Sequence, residues 1–185
     1  IAPPRMPDTR FRKTVVYMWR HDVSGAAGVV INKRCQQPDF KHICNEGLIH
    51  RLAKVNHPVY YGGPVLTNVV GVLHSTDYIL SSTNKLTDDK VGFTLDRKML
   101  EVIAKGQGPK NKLITLGLAN WSTGQLEEEL EHPRDPAMSW LLMDYDEKFV
   151  FGQLDEDKPD DLWERSLAEA IRKKTKEITS RVFKD

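Results

Sequence analysis

The chain has 185 residues, 39% of them hydrophobic and 29% charged, which suits one domain with a core of its own. Its formal net charge of +1 gives no general reason to bind nucleic acid. No run of 18 apolar residues is present to cross a membrane as a helix, and no secretory signal is visible.

The first strand is expected at "TVVYMW", Thr14–Trp19, which is β-branched and aromatic. "RHDVSGA" reads as a connector and "AGVVINK", Ala27–Lys33, as a second strand. A short helix is expected over Glu46–Lys54, with Leu48, Ile49 and Leu52 apolar. "PVYYGGPV" is a strand running into a turn, where Gly62, Gly63 and Pro64 demand irregular backbone. Further strands are expected at Val69–Ser75, Tyr78–Leu80 and "VGFTL" from Val91, with Ser81–Asp89 a polar loop. Asp96 caps a helix that buries Met99, Leu100 and Ile103. "KLITLGLA", Lys112–Ala119, is the most apolar strand and is expected at the centre.

Ser122 and Gln125 form a capping box for a helix with Leu126 and Leu130 on one edge and four glutamates facing water. Ser139–Met143 and Phe149–Phe151 read as strands around an acidic turn. An amphipathic helix follows at about 160–180. Asp161 and Glu164 cap it, and Trp163, Leu167, Ala170 and Ile171 are its buried stripe. Strands outnumber helices without regular alternation. The expected class is α+β, a single domain over 1–185 with a mixed or antiparallel sheet and packed helices.

Charge is uneven along the chain. The first third is basic, Glu127–Glu164 is acidic, and the C-terminal helix turns basic again. Solvated faces that pair on folding account for this, as does a dipolar surface that steers a partner. Cys35 and Cys44 are eight residues from one another in "CQQPDFKHIC" and are expected as separate thiols in a reducing compartment. His42 and His50 lie nearby in no metal-ligand spacing, so no metal is expected.

The blocks "MPDTRFRKTVVYMWRHDVSGAAGVVINK", "VYYGGPV", "VLHS" and "LGLANWSTGQLEEEL" appear together and in order. In these blocks the chain resembles the YqgE/AlgH family, also called UPF0301 or DUF179, from Ile1 to about Ala170. The resemblance implies a single α+β domain and places Ile1–Ala2 at the tail of a first strand, so that residues upstream are expected. It implies no established enzymatic activity. Some members are named as transcriptional regulators, although no DNA-binding motif is visible here. Two departures stand out. The arginine and glycine that precede "VLHS" in the family are Val69 and Val70 here. The family's Gly-Trp-Gly reads Asn120-Trp121-Ser122.

Candidate chemistry is thin. His21 and Asp22 are neighbours that point apart on extended backbone, a poor dyad. "DVSGAAG" matches neither a P-loop nor a dinucleotide fingerprint, although Gly25 and Gly28 could expose N–H groups to an anion. Gly63 reads as a fold turn or a ligand-lining loop. His74 and Ser75 could supply base and nucleophile, but no nucleophile elbow surrounds them. Trp121 and Gln125 either wall a shallow pocket or plug the sheet edge.

No catalytic residue, metal or cofactor is therefore expected. The candidate ligand or partner contacts are His21, Gly25, Gly63, His74, Ser75, Trp121 and Gln125. The expected role is a cytoplasmic, non-enzymatic regulatory or protein-interaction domain, with an apolar or acidic patch near "EEELEH". Its partner is expected to be protein rather than nucleic acid or membrane. The alternative is a small-molecule-binding protein or enzyme, with a pocket joining Trp121, His74 and Gly63.

Overall fold

A computed structural model describes residues 1–44, 56–131, 139–152 and 161–182. Seven strands form one sheet: β1 (Val16–Asp22), β2 (Gly25–Val30), β3 (Val59–Tyr61), β4 (Val65–Ser75), β5 (Asn84–Leu86), β6 (Val91–Thr94) and β7 (Lys112–Trp121). The described helices are α1 (Phe40–Cys44), α2 (Arg97–Ala104), α3 (Gln125–Glu131), the single turn α4 (Glu147–Val150) and α5 (Asp161–Val182). The strand order is β1-β2-β7-β4-β6-β5, with β3 also on β7, so the most apolar strand is central as its composition suggests. All pairings but β3–β7 are antiparallel.

The sheet curls until its ends meet, giving a nearly closed barrel. Tyr17 on β1 places its Oη 2.7 Å from Thr87 Oγ1, just beyond β5. Trp19 stacks on Phe93 of β6 with ring centroids 4.8 Å apart. Leu73, Phe93, Leu113 and Leu118 share one core with Leu162 and Trp163 of α5. Val72 and Ile114, on the opposite face, pack against Met99, Leu100 and Ile103 of α2. Asp96 caps α2 by accepting from the Lys98 N–H at 2.9 Å.

The path from β3 to β4 is unusual. β7 residues 114–116 pair with β3 along one edge and with β4 along the other. The chain therefore crosses over β7 within Gly62-Gly63-Pro64. At the crossing the backbones nearly touch: a Cβ on Gly62 would lie 2.2 Å from the Gly117 oxygen, and one on Gly117 would lie 2.3 Å from the Gly63 oxygen. Gly63 (φ +147) and Gly117 (φ +83) also take up dihedrals that L side chains avoid.

Several expectations need correction. β1 and β2 extend into the supposed connector, leaving Val23 and Ser24 as the turn. Tyr78–Leu80 is not a strand, whereas Asn84–Leu86, within the expected polar loop, pairs with β6. The Ser139–Met143 segment runs alongside the barrel without strand pairing, tied by Ile1–Leu141 backbone bonds of 2.8 and 3.0 Å. Phe149 and Val150 lie in α4, which Asp146 caps by accepting from the Lys148 N–H at 2.8 Å. In α5, Leu162, Trp163, Ser166 and Ala170 are buried, but Ile171, expected in the buried stripe, is half exposed. The expected Glu46–Lys54 helix lies outside the described residues.

Candidate functional site

The sequence candidates separate into two groups along β7. His74 pairs with Lys112 at one end, and Ala26 pairs with Trp121 at the other. Nine residue steps of strand, about 30 Å at the usual rise, separate them. A single pocket joining Trp121, His74 and Gly63 is therefore ruled out by geometry.

At the far end, His74 and Ser75 face opposite sides of β4. Ser75 Oγ lies 2.5 Å from Asp77 Oδ1, to which it donates, and accepts the Asn111 N–H at 3.0 Å. His74 is buried, and its Nδ1 lies 2.9 Å from the Ser75 carbonyl oxygen. Burial pushes its pKa down, which favours the neutral ring with Nδ1–H donating to that carbonyl. The ring packs tightly on Gly92, where an added Cβ would sit 2.6 Å from Cε1. Together the two residues lock the loop before β7; no hydrogen bond joins the imidazole to the Ser75 hydroxyl.

The near end is different. The strand β7 ends on Trp121, and α3 starts four residues later. Ser122 donates its N–H and its hydroxyl to Gln125 Oε1, at 3.0 and 3.1 Å. Gln125 in turn donates to Glu129 Oε1 at 2.9 Å, one helical turn on. The other oxygen of Glu129 accepts the indole N–H of Trp121 at 3.0 Å and that of Trp140 at 2.7 Å. Phe11 completes the aromatic group. It stacks on Trp121 with centroids 6.2 Å apart and meets Trp140 edge-on at 5.7 Å. Trp121, Gln125 and Trp140 are thus clamped on one carboxylate, and Phe11 packs on the two indoles.

Beside this clamp is a cleft of about 540 Å³, with Trp121, Trp140 and Phe11 on one side, Pro64 and Val65 on another, and Gln125, Glu128 and Asn120 at the rim. Arg10 closes a fork on Asp8, Nε to Oδ1 at 2.9 Å and Nη2 to Oδ2 at 2.7 Å. That fork holds the Asp8 carboxyl below its ordinary pKa. Among the described lining residues, three carboxylates (Asp8, Glu128, Glu129) face one cation, Arg10. The three Glu129 donors are all neutral, so its formal charge is not cancelled by them. Next in the chain after Val65, and outside the residues that line the cleft, is Leu66, 55% exposed and at φ +48. Both belong to a stretch in which β4 from Val65 to Val70 spans what β7 covers from Leu118 to Leu116, so the surplus residues bulge outward.

Gly25 and His21 are close by but have partners. A Cβ on Gly25 would lie 2.3 Å from the Trp121 carbonyl oxygen, so this glycine lets β2 close on the end of β7. His21 Nε2 lies 2.5 Å from Glu127 Oε1, and this contact holds the Glu127 pKa down. Gly63 serves the crossover and brings Pro64 to the cleft. Of the sequence candidates, Trp121 and Gln125 line the cleft itself. Phe11 and Trp140 were missed, while Glu128 and Glu129 belong to the "EEELEH" stretch near which an acidic or apolar patch was expected. The Gln125–Glu129 spacing of four was a readable signal; nothing local marked Trp140, read as a strand residue.

Residues 1–174 match the AlgH-like family (DUF179), and the chain belongs to it. A UPF0301 protein of Bradyrhizobium sp. (strain BTAi1) is 36% identical over 168 residues, covering 86% of this chain and 76% of that protein. The solution structure of AlgH from Pseudomonas aeruginosa matches with a TM-score of 0.70 at 30% identity, covering 92% of this chain and 85% of the other. A crystal structure of a Corynebacterium diphtheriae protein shares the fold, with a TM-score of 0.56 at 21% identity over 72% of this chain and 69% of the other.

Proposed function

We propose that this member of the AlgH-like family is a non-enzymatic interaction domain of a regulatory kind, acting in the cytoplasm, whose protein partner seats in the cleft beside Trp121 and Trp140. The observation that carries this reading is the apolar lip of the cleft. Val65 and Leu66 are both exposed, and Leu66 is held in a backbone region that β- and γ-branched side chains avoid. A large apolar side chain kept outward on strained backbone, next to a concavity with rigid aromatic walls, suits a binding surface. Ser75 hydrogen-bonds to Asp77 and Asn111 and not through its hydroxyl to His74, which supports a structural role for this pair. The rim carboxylates disfavour a phosphate backbone as the partner. No described helix is long and apolar enough to cross a membrane. Cys35 and Cys44 are both unpaired thiols, which suits a reducing compartment.

The test is site-specific photo-crosslinking in cells, with the crosslinker at Asn120 on the cleft rim or at Gln107 in the loop leading into β7. A reproducible protein adduct from Asn120 and none from Gln107 is expected. Identical adduct patterns, or none from either site, would overturn the assignment. A second reading has its own support: a cleft of about 540 Å³ is within the range of small-molecule sites, roughly 300–1,000 Å³. Native mass spectrometry of the purified protein separates the two, since a small ligand would appear as a discrete added mass.

A further inference from the structure

We infer that the cleft takes a positively charged side chain, arginine or lysine, from an extended peptide segment that also offers apolar residues to the lip. The inference rests on the interaction reading above and adds the chemistry of the occupant.

The aromatic wall is mostly buried, Trp121 at 4% and Trp140 at 8% exposed, and with the half-buried Phe11 it gives the cleft a rigid apolar side. Within the cleft the charge balance is negative. The Asp8 carboxylate is matched by the Arg10 fork, which leaves Glu128 and Glu129 without a cation among the described lining residues. Glu129 is fixed in place by two indoles and an amide, so a cation reaching it meets an oriented charge at no cost in reorganisation. Glu128 is exposed at the rim, where it can follow a flexible ligand.

The acidic character continues outside the cleft along α3 through Glu127 and Glu131. Val65 lines the cleft, and both it and the next residue, Leu66, are apolar and exposed. A lone amine would use one corner of this arrangement. A segment alternating basic and apolar residues would use the rim, the walls and the lip together. An acidic segment would face Glu128 and Glu129 unpaired.

The experiment titrates the whole chain with three acetylated five-residue peptides and follows the indole N–H resonances of Trp121 and Trp140 by NMR. One peptide alternates leucine and arginine, the second replaces arginine with neutral citrulline, and the third replaces it with glutamate. The arginine peptide should move both resonances. The citrulline peptide should bind at least about tenfold more weakly, and the glutamate peptide should leave them unmoved. Glu128→Gln, an exposed substitution that keeps the aromatic clamp, should weaken the arginine peptide by about threefold or more, and added salt should weaken it further.

Equal binding of the arginine and citrulline peptides would overturn the charge inference while leaving the cleft a peptide site. If no peptide moves either resonance while Asn120 still crosslinks a protein, the charge inference fails and the interaction reading stands. If Asn120 also fails to crosslink, both fall.

Discussion

Replacing Glu129 is the most direct perturbation of the cleft. Trp121 is 4% exposed and Trp140 is 8% exposed, so water offers little replacement for a lost indole partner. In Glu129→Ala both indole N–H groups lose their shared acceptor. Each unsatisfied buried donor costs about 1–3 kcal/mol, giving about 2–6 kcal/mol in total. Glu129→Gln separates charge from connectivity. Its single amide oxygen can stay with the indoles, but its NH₂ then faces the Gln125 NH₂, and one bond is lost. Trading charged for neutral acceptance and dropping that bond costs about 1–3 kcal/mol. Urea denaturation followed by circular dichroism measures both, with Glu131→Ala as the control. Glu131 is exposed on the same helix, and its loss should stay within about 0.5 kcal/mol. In a chain of this size, 3 kcal/mol corresponds to a fall in Tm of roughly 6–12 °C. A Glu129→Ala protein as stable as Glu131→Ala would refute the clamp, and with it the rigid wall of the cleft.

Gly62→Ala should cost upwards of about 3 kcal/mol, because the new Cβ would lie 2.2 Å from the Gly117 backbone oxygen, whereas Gly106→Ala, with φ +75 in open space, should cost about 1–2 kcal/mol; equal losses on thermal denaturation would refute the crossover over β7. Burial pushes the Cys44 thiol up to about 11 from an ordinary 9.0, so a thiol-titrating disulfide reagent at pH 8 should reach it only after unfolding. Since the folded pKa is the higher one, this thiol's contribution to stability is whole below about pH 9 and lost as pH rises towards 11. Wild-type stability should fall more steeply than that of Cys44→Ala over that window, and parallel curves would argue against a buried Cys44. A fluorophosphonate probe should leave Ser75 unlabelled; stoichiometric labelling would show an activated nucleophile that its contacts to Asp77 and Asn111 do not provide.

Much of the architecture was legible because it rests on short-range rules. β7 was readable as central from its apolar run, and α2 from the Asp96 cap with apolar residues at helical spacing. Errors came where tertiary contact overrides local pattern. Phe149 and Val150 are β-formers, yet the Asp146 cap and burial of Val150 in the α5 core make that segment a helical turn. "NKL" at Asn84–Leu86 is polar by composition and becomes a strand because β6 offers an open edge. The site was half legible. Trp121 and Gln125 stood out, as did a glutamate-rich helix. That Trp140 bonds to Glu129 and Phe11 packs on Trp121 depends on contacts 11 and more than 100 residues apart, which no local pattern in the sequence contains.

The crossover explains why the cleft lies at this end of the barrel. A chain that must pass over β7 in three residues leaves the β3 edge beside Leu116 and arrives on the β4 edge opposite Leu118. Three residues before the end of β7 it is therefore already near the level of the aromatic group, and Pro64 and Val65 line the cleft. The arrival is out of register with the rest of β4, which resumes pairing only at Val70. The surplus residues between are forced outward, taking Leu66 to φ +48. One topological requirement, met by Gly62, Gly63 and Gly117, thus creates both the wall and the strained apolar lip. Relief of that strain is available to a partner that lets the lip rearrange, so Leu66→Gly, which removes both strain and side chain, should stabilise the isolated domain while weakening partner capture at Asn120. Stability and crosslinking moving in the same direction would separate the lip from the binding surface.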